Sequence, residues 1–430
     1  MFDPSELSRT VAILLAGGRG ARLHELTARD SKPALPFARF HRIADFTMAS
    51  LVRSGLHRVI VGTQYRPETL AQHLRHCWAP ALPEGGLMLR HGPDIAGGAG
   101  YLGAADVLRA NAAELDAMGA REVLVVAADH VHAMDYRPFI AAHRARRAPL
   151  TLAALPVPRA EAQRLGVITE GPGGRIAGFA EKPERPAGLA GDPSQSLASL
   201  GIYVIDWPWL REVLATPELV DFGHDIVPHA VNRGEAAVWR WTGYWRDVGT
   251  LDGLRNAWLD FETAPPPCQR PLVAGMQHEP PGGTPPRDLF QASLLTGGLR
   301  LMSPLVGAED PRRWTALDRS VLMPGARVFT GVRLTNVILA PGAVVPQGLR
   351  IGEDPDEDGR WFRLAGETVL VTSAMLARRG ALRMPVFPLW GGGSGARPQA
   401  PAPDGPRSGG RSASPAKVTP LPGLKVTGAR

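Results

Sequence analysis

Residues suited to binding a polyphosphate lie close together near the start of the chain. The segment Ala16–Arg22 reads A-G-G-R-G-A-R, with three glycines and two arginines, and Lys32 follows ten residues later. Glycine lets the backbone turn sharply and lets a ligand approach main-chain N–H groups, because no side chain stands in the way. Guanidinium and ammonium groups are cationic donors suited to phosphate oxygens. We interpret this segment as a cradle for a nucleoside triphosphate.

Two well-known phosphate-binding motifs do not fit this segment. It has no G-K-S/T sequence, which the Walker motif requires, and Leu23 stands where the dinucleotide fingerprint needs its third glycine. A glycine-rich turn between a strand and a helix is also common in α/β proteins in general. The interpretation therefore depends on the ordered set of a strand, the sequence G-G-R-G-x-R-L and a later K-P pair.

Alternating strands and helices surround the glycine-rich turn. Val11–Leu15 is a short apolar run that predicts a buried strand directly before the glycines. Similar runs predict strands at Arg58–Gly62, Val123–Ala127 and Leu150–Leu155, and helical spacing predicts helices at His41–Ser54, Pro67–Trp78 and Tyr136–Arg146. Near-continuous apolar strands in βαβα order predict an α/β fold with a doubly wound, mostly parallel sheet.

Carboxylates occur where such a sheet binds its ligand, beyond the carboxyl ends of the strands. Asp129 follows the strand Val123–Ala127, and it suits either a magnesium ion on the triphosphate or the N-cap of a helix. A second carboxylate, Asp247, would complete a magnesium site. Glu181 and Lys182 offer a carboxylate for sugar hydroxyls and an ammonium for a phosphate, although adjacent residues of this kind are often a solvated surface pair.

The composition excludes several classes of protein. The chain has 430 residues, 44% hydrophobic and 21% charged, which fits a globular protein of two domains with additional segments. Its net charge of +7 does not indicate nucleic-acid binding, because residues 391–430 alone carry +5. Cys77 and Cys268 have no disulfide or zinc spacing, and no stretch approaches the ~20 apolar residues of a membrane span. We expect a cytoplasmic protein without nucleic-acid or membrane partners.

The C-terminal part of the chain contains an internal repeat. Leu322–Val328 recurs as Leu339–Val345 at an offset of 17 residues, and apolar residues recur every six positions with glycines nearby. This pattern predicts a left-handed β-helix of about two coils, with two similar hairpins as the alternative. We predict a catalytic domain at 1–262, a linker at 263–288, a β-helix domain at 289–385 and a disordered, basic, Pro/Gly-rich tail at 386–430.

The order of these motifs resembles the bacterial glucose-1-phosphate adenylyltransferases, also called ADP-glucose pyrophosphorylases, from about residue 10 to about residue 380. The resemblance implies a Rossmann-like nucleotidyltransferase domain joined to a short left-handed β-helix, in a homotetramer. It implies transfer of AMP from ATP to α-D-glucose 1-phosphate, which gives ADP-glucose and pyrophosphate for glycogen biosynthesis. It also implies Mg²⁺ as the cofactor.

The resemblance assigns site residues by motif. Catalytic roles fall on Arg19, Lys32 and Asp129, and the magnesium ligands are Asp129 and Asp247. The implied nucleotide-binding residues are Ala16, Gly17, Gly18, Gly20, Arg22 and Gln64. The implied glucose 1-phosphate residues are Tyr101, Gly166, Glu181, Lys182 and Ser199. The sugar phosphate then attacks the α-phosphorus in line, without a covalent intermediate, while basic residues and Mg²⁺ neutralise charge.

The chain departs from the family pattern at several positions. Ala104 and Ala128 stand where threonine and glycine are usual, and the glutamine-bearing loop that helps to hold adenine is absent from Leu87–Gly100. Gly100 replaces an aromatic residue, and three effector-binding positions are changed, at Asp30, Pro36 and Ala117. Three alternatives stay open: an active adenylyltransferase with altered regulation, a non-catalytic regulatory paralogue, and an enzyme that uses UTP or dTTP.

Overall fold

A mixed β-sheet forms the centre of the N-terminal part of the chain. The fold is described from a computed structural model for residues 7–38, 40–263, 265–272, 290–296 and 299–383. Within these ranges, the strands up to residue 247 are β1 (Thr10–Ala16), β2 (Pro36–Phe37), β3 (His41–Arg42), β4 (Val59–Thr63), β5 (Leu87–His91), β6 (Glu122–Ala127), β7 (His130–His132), β8 (Leu150–Pro158), β9 (Gly166–Glu170), β10 (Ile176–Glu181), β11 (Gln195–Asp206), β12 (Ala236–Arg240) and β13 (Trp245–Asp247). Seven of them follow the order β10-β9-β11-β6-β1-β4-β5, and β8 joins β11 to β12 in the same sheet.

Helices cover both faces of this sheet. The described helices are α1 (Ile43–Arg53), α2 (Glu68–His73), α3 (Gly92–Ile95), α4 (Ala104–Ala110), α5 (Ala112–Ala117), α6 (Tyr136–Arg146), α7 (Arg159–Ala162), α8 (Trp207–Val213), α9 (Val227–Asn232) and α10 (Leu251–Asp260). Successive residues of a strand point to opposite faces. In β1, Ala12 and Leu14 therefore enter one apolar cluster while Val11 and Ile13 enter the other. Burial on both faces explains why the strand is apolar throughout.

The parallel strands of the sheet end together at one edge. β1 pairs in parallel with β4 and β6, and β4 pairs in parallel with β5. The carboxyl ends of these strands, at Ala16, Thr63 and Ala127, therefore lie at the same edge, which is where an α/β sheet binds its ligands. The α/β fold predicted from the apolar runs is confirmed.

The other part of the sheet is antiparallel. β11 pairs antiparallel with β6, β8 and β9, and β10 pairs antiparallel with β9. The pairing of β11 with β8 shifts register between Ser199 and Tyr203, and Gly201 has a φ of 66° within that shift. An irregularity of this kind redirects side chains locally, and glycine adopts a positive φ without a steric penalty.

The C-terminal part of the chain is a small β-helix. Its described elements are β14 (Phe290–Thr296), β15 (Leu299–Pro304), β16 (Thr315–Asp318), β17 (Val321–Leu322), β18 (Arg327–Val328), β19 (Arg333–Thr335), β20 (Val337–Leu339), β21 (Val344–Val345), β22 (Arg350–Ile351), α11 (Pro355–Trp361), β23 (Arg363–Ala365), β24 (Thr368–Val371) and α12 (Ser373–Arg383). Three parallel pairs, β16–β19, β17–β20 and β18–β21, are each offset by 17 residues. These pairs confirm the coil repeat predicted from the sequence.

A single apolar cluster joins the β-helix to the sheet domain. It contains Leu23 and Leu26 after the glycine-rich turn, Val248, and residues of α10 on the sheet-domain side. Its members from the β-helix are Val321, Met323, Ile338, Ala340 and Leu370. The β-helix therefore packs against the segments that contain Leu23, Leu26 and Val248. Both parts belong to one compact unit that ends at Arg383.

Two predicted segments lie mostly or wholly outside the described residues. Of the predicted linker at 263–288, only residue 263 and residues 265–272 are described, and the whole predicted tail at 386–430 is outside. The predicted domain boundaries therefore stay predictions. Among the helices of the described residues, none has the length and apolar character needed to cross a membrane.

We predict that Phe37 is a main stabilising residue of the junction between α1 and α10. Its buried ring makes edge contacts with Phe46, Trp258 and Phe261 at centroid distances of 5.4, 5.6 and 5.4 Å. Phe37→Ala should lower the free energy of unfolding by about 3–5 kcal/mol, because it leaves a cavity among these rings. Leu272→Ala, at a position that is 85% exposed, is the control. Equal losses in chemical denaturation would contradict the prediction.

Candidate active site

Lys32 lies between the two carboxylates that the sequence predicted as magnesium ligands. Its Nζ is 2.9 Å from Oδ2 of Asp129 and 3.2 Å from Oδ1 of Asp247. The Lys32 side chain is only 5% exposed, so its charge needs compensation from within the protein. Residues separated by 97 and 215 positions in sequence therefore form one charged centre at the carboxyl edge of the sheet.

A short two-stranded ribbon aligns the two carboxylates. Asp129 lies in the turn between β6 and β7, and β7 pairs antiparallel with β13 so that His130 is opposite Asp247. The main-chain N–H of Gly249 donates to Oδ1 of Asp247 at 2.8 Å, which orients that carboxylate. The ribbon thus places Asp129 and Asp247 side by side although they come from different parts of the chain.

Both carboxyl groups are ionised at neutral pH. Burial raises the pKa of Asp129, but the positive charge of Lys32 lowers it more, which leaves a pKa of about 2. Burial also opposes ionisation of Asp247. The positive charge of Lys32 nevertheless holds the pKa of this carboxyl below its ordinary value. Two ionised oxygen donors that already share one cation suit a hard divalent ion such as Mg²⁺.

The glycine-rich turn forms one wall of a cavity beside this centre. The cavity has a volume of about 360 Å³, and its lining includes Ala16, Gly17, Gly18, Gly20 and Asp129. Gly20 has a φ of 64°, and a Cβ there would lie 3.0 Å from Cβ of Lys32 and 3.1 Å from Cγ2 of Thr27. A side chain at this position would be strained and would press on the lysine of the charged centre.

The two arginines of the turn are exposed. The guanidinium carbon of Arg19 lies 5.7 Å from the centre of the Tyr65 ring, in the range of a cation–π contact. Arg22 lies close to Gly249, because a Cβ built on that glycine would be 2.9 Å from an Nη of Arg22. The structure therefore brings Arg22 near Asp247 and places Arg19 on the side of Tyr65.

The side-chain amide of Gln64 is bonded to the main chain of Tyr101. Its Oε1 accepts from the Tyr101 N–H at 2.7 Å, and its Nε2 donates to the Tyr101 carbonyl at 3.2 Å. Both residues line the cavity, so Tyr101 lies on the side of the glycine-rich turn. Gly100 has a φ of 76°, and a Cβ there would lie 2.8 Å from Gln64 Oε1. A residue with a side chain at position 100 would therefore be strained and would displace the Gln64 amide.

All of the residues predicted to bind glucose 1-phosphate except Tyr101 form a second group. Gly166 on β9 is opposite Glu181 on β10, and a Cβ on Gly166 would lie 3.0 Å from Glu181 Oε2. Lys182 follows with a φ of 47°, rare for a residue with a side chain, and its Nζ contacts Glu181 Oε1. Ser199 lies in the register shift of β11, and its Oγ accepts from the Gly201 N–H at 3.3 Å.

His130 joins the two groups, and the sequence analysis did not predict a role for it. Its Nε2 lies 3.7 Å from Asp129 Oδ1, and its ring makes an edge contact with Trp245 at 5.0 Å. A Cβ on Gly201 would lie 3.4 Å from the His130 ring, which places Asp129 close to the β11 side of the site. The one available sequence signal was its position directly after Asp129.

Three other residues with metal-ligating atoms lie close together, but at the opposite edge of the sheet. Ligand atoms of Glu122, His143 and Asp206 all lie within 4.8 Å of one another. Glu122 is the first residue of β6, whereas Asp129 follows the end of that strand. Glu122 already accepts hydrogen bonds from Thr10 and Arg144, so this cluster fits a structural network better than a catalytic metal site.

Comparison with known proteins agrees with this geometry. The nucleotidyl transferase family profile matches residues 11–264, and the profile of a GlmU-like C-terminal hexapeptide matches residues 299–372. A glucose-1-phosphate adenylyltransferase of Jannaschia sp. (strain CCS1) is 34% identical over 410 residues, which cover 86% of this chain and 97% of that one. Proteins of the same name from Cereibacter sphaeroides (strain ATCC 17029) and Bradyrhizobium diazoefficiens are 36% and 33% identical, again over 86% of this chain and over 96% and 97% of theirs.

The chain belongs to the glucose-1-phosphate adenylyltransferase family of nucleotidyl transferases. The hexapeptide match identifies the small C-terminal domain as a left-handed β-helix, as the 17-residue repeat predicted. Ala128, which precedes the predicted metal ligand Asp129, is fully buried and donates its N–H to the Leu15 carbonyl at 2.9 Å. The methyl group at this position is therefore buried beside the end of β1.

We predict that Lys32 sets the ionisation of Asp129. Lys32→Met keeps most of the side-chain volume but removes the positive charge that lies 2.9 Å from the carboxylate. The pKa of Asp129 should then rise by about 1–3 units, since an opposite charge at this distance favours the ionised form. Carboxyl ¹³C NMR titration measures this pKa. Lys182→Met is the control, because Lys182 contacts Glu181. An unchanged Asp129 pKa in Lys32→Met would contradict the prediction.

Proposed function

We propose that this protein transfers AMP from ATP to α-D-glucose 1-phosphate and releases pyrophosphate, with ADP-glucose as the product. The observation that carries the proposal is the centre of Lys32, Asp129 and Asp247 at the mouth of a glycine-lined cavity. The family relationship supports it, because the relatives compared above are named glucose-1-phosphate adenylyltransferases.

The triphosphate binds along the glycine-rich turn. The turn exposes main-chain N–H groups of Gly17 and Gly18 at the carboxyl end of β1, where no side chain intervenes. Arg19 and Arg22 are exposed beside it and offer planar donors to phosphate oxygens. Gln64 holds the main chain of Tyr101 in the wall of the cavity, because both polar atoms of its side-chain amide are bonded to the Tyr101 main chain.

Glucose 1-phosphate binds on the side of Glu181, Lys182 and Ser199. Glu181 is mostly buried and supplies a carboxylate for sugar hydroxyls, whereas Lys182 is 54% exposed and supplies an ammonium for the phosphate. Three neighbours were not predicted from sequence. A Cβ on Gly223 would lie 2.6 Å from Glu181, and Tyr203 stacks on Phe222 at 5.1 Å between ring centres.

The reaction needs alignment and charge neutralisation but no covalent intermediate. A phosphate oxygen of glucose 1-phosphate attacks the α-phosphorus of ATP, and the bond from that phosphorus to the α,β-bridging oxygen breaks, so that pyrophosphate leaves. The Lys32 ammonium, buried and already directed at this position, stabilises negative charge on the reacting phosphates. Asp129 and Asp247 would hold Mg²⁺, which would supply further positive charge to the phosphate oxygens.

The proposal extends to assembly and location. The β-helix domain exposes several large apolar side chains, and a second subunit would bury them in the homotetramer that we propose: Leu305, Val306, Phe329 and Val344. We propose a cytoplasmic protein of glycogen biosynthesis with Mg²⁺ as its cofactor, on the basis of the family relationship and of two cysteines that form no disulfide.

Pyrophosphate release from the purified full chain tests the proposed function. Glucose 1-phosphate and Mg²⁺ are supplied with ATP, UTP or dTTP in separate assays, and we expect release with ATP. Release with UTP or dTTP but not with ATP would replace the adenylyl assignment by another nucleotide. If none of the three nucleotides gives pyrophosphate release, the result would contradict the proposed enzyme activity and favour a non-catalytic regulatory paralogue.

We predict that Asp129→Ala nearly abolishes turnover. The variant removes one of two carboxylates that converge on the reacting position, and the loss of several kcal/mol of transition-state stabilisation corresponds to a fall in kcat of roughly 1,000-fold. Asp356→Ala, at an exposed position of α11, is the control. A kcat of Asp129→Ala within tenfold of the parent chain would contradict the assigned role.

We predict that Lys182→Ala acts mainly on glucose 1-phosphate. Loss of one charge-assisted hydrogen bond to the sugar phosphate should raise the KM for glucose 1-phosphate by about 10- to 100-fold. The KM for ATP should stay near that of the parent chain, because Lys182 directly follows Glu181 at the end of β10 and does not lie along the glycine-rich turn. An equal rise in both KM values, in initial-rate kinetics, would be inconsistent with two separate subsites.

A further inference from the structure

One hairpin of the β-helix domain contacts the segments that follow both halves of the candidate active site. The 363–371 hairpin consists of β23, β24 and the turn at Gly366 and Glu367. It bonds to the 3-10 segment Ala21–Thr27, which begins within the last two residues of the glycine-rich turn. It also bonds to α10, which begins four residues after Asp247.

The first contact is an ion pair with Glu25. Arg363 donates from Nη2 to Glu25 Oε1 at 2.6 Å and from Nε to the same oxygen at 3.2 Å. The hydrogen bond from Arg363 lowers the pKa of Glu25 below its ordinary value. Both side chains are partly exposed, so solvent screens the pair and it contributes little to stability. Its bonds connect the hairpin to the segment that overlaps the end of the glycine-rich turn.

The second contact is centred on Asp252 of α10. Oδ1 of Asp252 accepts from Thr368 Oγ1 at 2.5 Å and from the Glu367 N–H at 3.2 Å. A Cβ on Gly366 would lie 1.9 Å from Oδ2 of Asp252, and Gly366 has a φ of 62°. The turn therefore requires glycine in order to close on this carboxylate. Thr368 is fully buried, so its hydroxyl depends on this bond.

A buried arginine strengthens the second contact. Arg255, one helical turn after Asp252, is fully buried. Its Nη1 donates to the carbonyls of Asn336 and Glu367, both at 3.4 Å. α10 thus presents an acidic and a basic residue on one face to the same part of the β-helix domain.

The first turn of α10 connects the Asp252 contact with the segment that contains Asp247. Thr250 caps the helix, with its side chain accepting from the Gly253 N–H at 3.1 Å. A Cβ on Gly253 would lie 2.7 Å from the Asp247 carbonyl, so the first turn of the helix packs against the metal-ligand segment. Asp247 and Asp252 also line the same cavity, which has a volume of about 260 Å³.

We propose that the 363–371 hairpin is a positioning element that holds the glycine-rich turn and Asp247 in their mutual geometry. Asp252 is the positioning residue for Asp247, and the pair of Arg363 and Glu25 positions the glycine-rich turn. Leu370 of the hairpin is opposite Arg363 and is fully buried in the cluster that also contains Leu23 and Val248. The inference rests on the proposed function for its kinetic readout, but it also predicts changes in binding that need no turnover.

The two contacts should affect different ligands. Loss of the Asp252 contact should weaken the metal site, and outer residues that orient metal ligands typically change metal affinity by about tenfold or more. Loss of the ion pair should weaken binding of the triphosphate by about 3- to 10-fold, which is the usual range for residues that act through another segment. Substitution of a residue with a merely structural role would lower the free energy of unfolding. It would not weaken binding of one of these ligands while the affinity for the other stayed unchanged.

The metal arm compares Asp252→Ala and Thr368→Val with the parent chain. Mn²⁺ is titrated into the full-length protein with a non-hydrolysable ATP analogue, and electron paramagnetic resonance reports free Mn²⁺. We expect about tenfold weaker Mn²⁺ binding in both variants, with a matching rise in the Mg²⁺ concentration for half-maximal activity. Thr368→Val keeps the side-chain shape and serves as the second variant if Asp252→Ala does not fold. Unchanged Mn²⁺ affinity in either folded variant would overturn the proposal for Asp252.

The triphosphate arm compares Arg363→Ala and Glu25→Ala with Arg333→Ala. Arg333 forms a pair with Glu353 at 2.9 Å within the β-helix domain, with similar exposure, and is therefore the matched control. Calorimetric titration with the same ATP analogue should show about 3- to 10-fold weaker binding in Arg363→Ala and Glu25→Ala alone, with the affinity for glucose 1-phosphate unchanged. An equal effect in Arg333→Ala, or none in the first two, would overturn the proposal.

These readouts separate the inference from the proposed function. Absence of pyrophosphate release from the parent chain would contradict the proposed function, while both binding titrations would still decide for or against the hairpin. Normal release together with variant affinities equal to those of the parent chain would reject the hairpin alone.

Discussion

The ion pairs of Lys32 with Asp129 and Asp247 are the interaction on which the rest of the site depends. Two ionised carboxylates close together repel each other, and a buried ammonium is costly without a counter-charge. Lys32 satisfies both requirements, because it lies 2.9 and 3.2 Å from the two carboxylates. The glycine-rich turn, the β7–β13 ribbon and the segment before α10 must therefore meet at one point. The centre already combines one ammonium with two carboxylates. In the proposed complex the metal ion would add positive charge and the triphosphate would add negative charge, so both signs stay balanced.

Much of this arrangement follows from local sequence. Buried parallel strands are apolar throughout, so β1, β4 and β6 were predictable, and the strand ends then located the glycine-rich turn and Asp129 at one edge of the sheet. The bridging position of Lys32 was not predictable from local pattern, because it depends on a ribbon pairing of residues far apart in sequence. The same holds for Gln64, whose amide is bonded to Tyr101, and for His130, which no spacing rule identifies.

The positions of the lysines in the sequence point to the proposed site, although the overall composition does not. The sequence has four lysines among its 48 basic residues, and two of them, Lys417 and Lys425, lie in the basic C-terminal segment. The other two are Lys32 and Lys182, one in each half of the site. An ammonium is a compact point charge that fits between two carboxylates or against a single phosphate, whereas a guanidinium is wider and planar. Before residue 417, every other Lys or Arg position is arginine, and the two lysines occur at positions of the proposed site where such a compact charge fits.

The most direct test of a two-part site uses these four lysines. Protein labelled with ¹⁵N and ¹³C in lysine gives few side-chain signals, and the variants Lys32→Met and Lys182→Ala assign two of them. We predict that a non-hydrolysable ATP analogue with Mg²⁺ shifts the Lys32 signal, and that glucose 1-phosphate alone shifts the Lys182 signal. If neither ligand shifts Lys32, or if glucose 1-phosphate leaves Lys182 unchanged, then the charged centre is not the place where the two substrates meet.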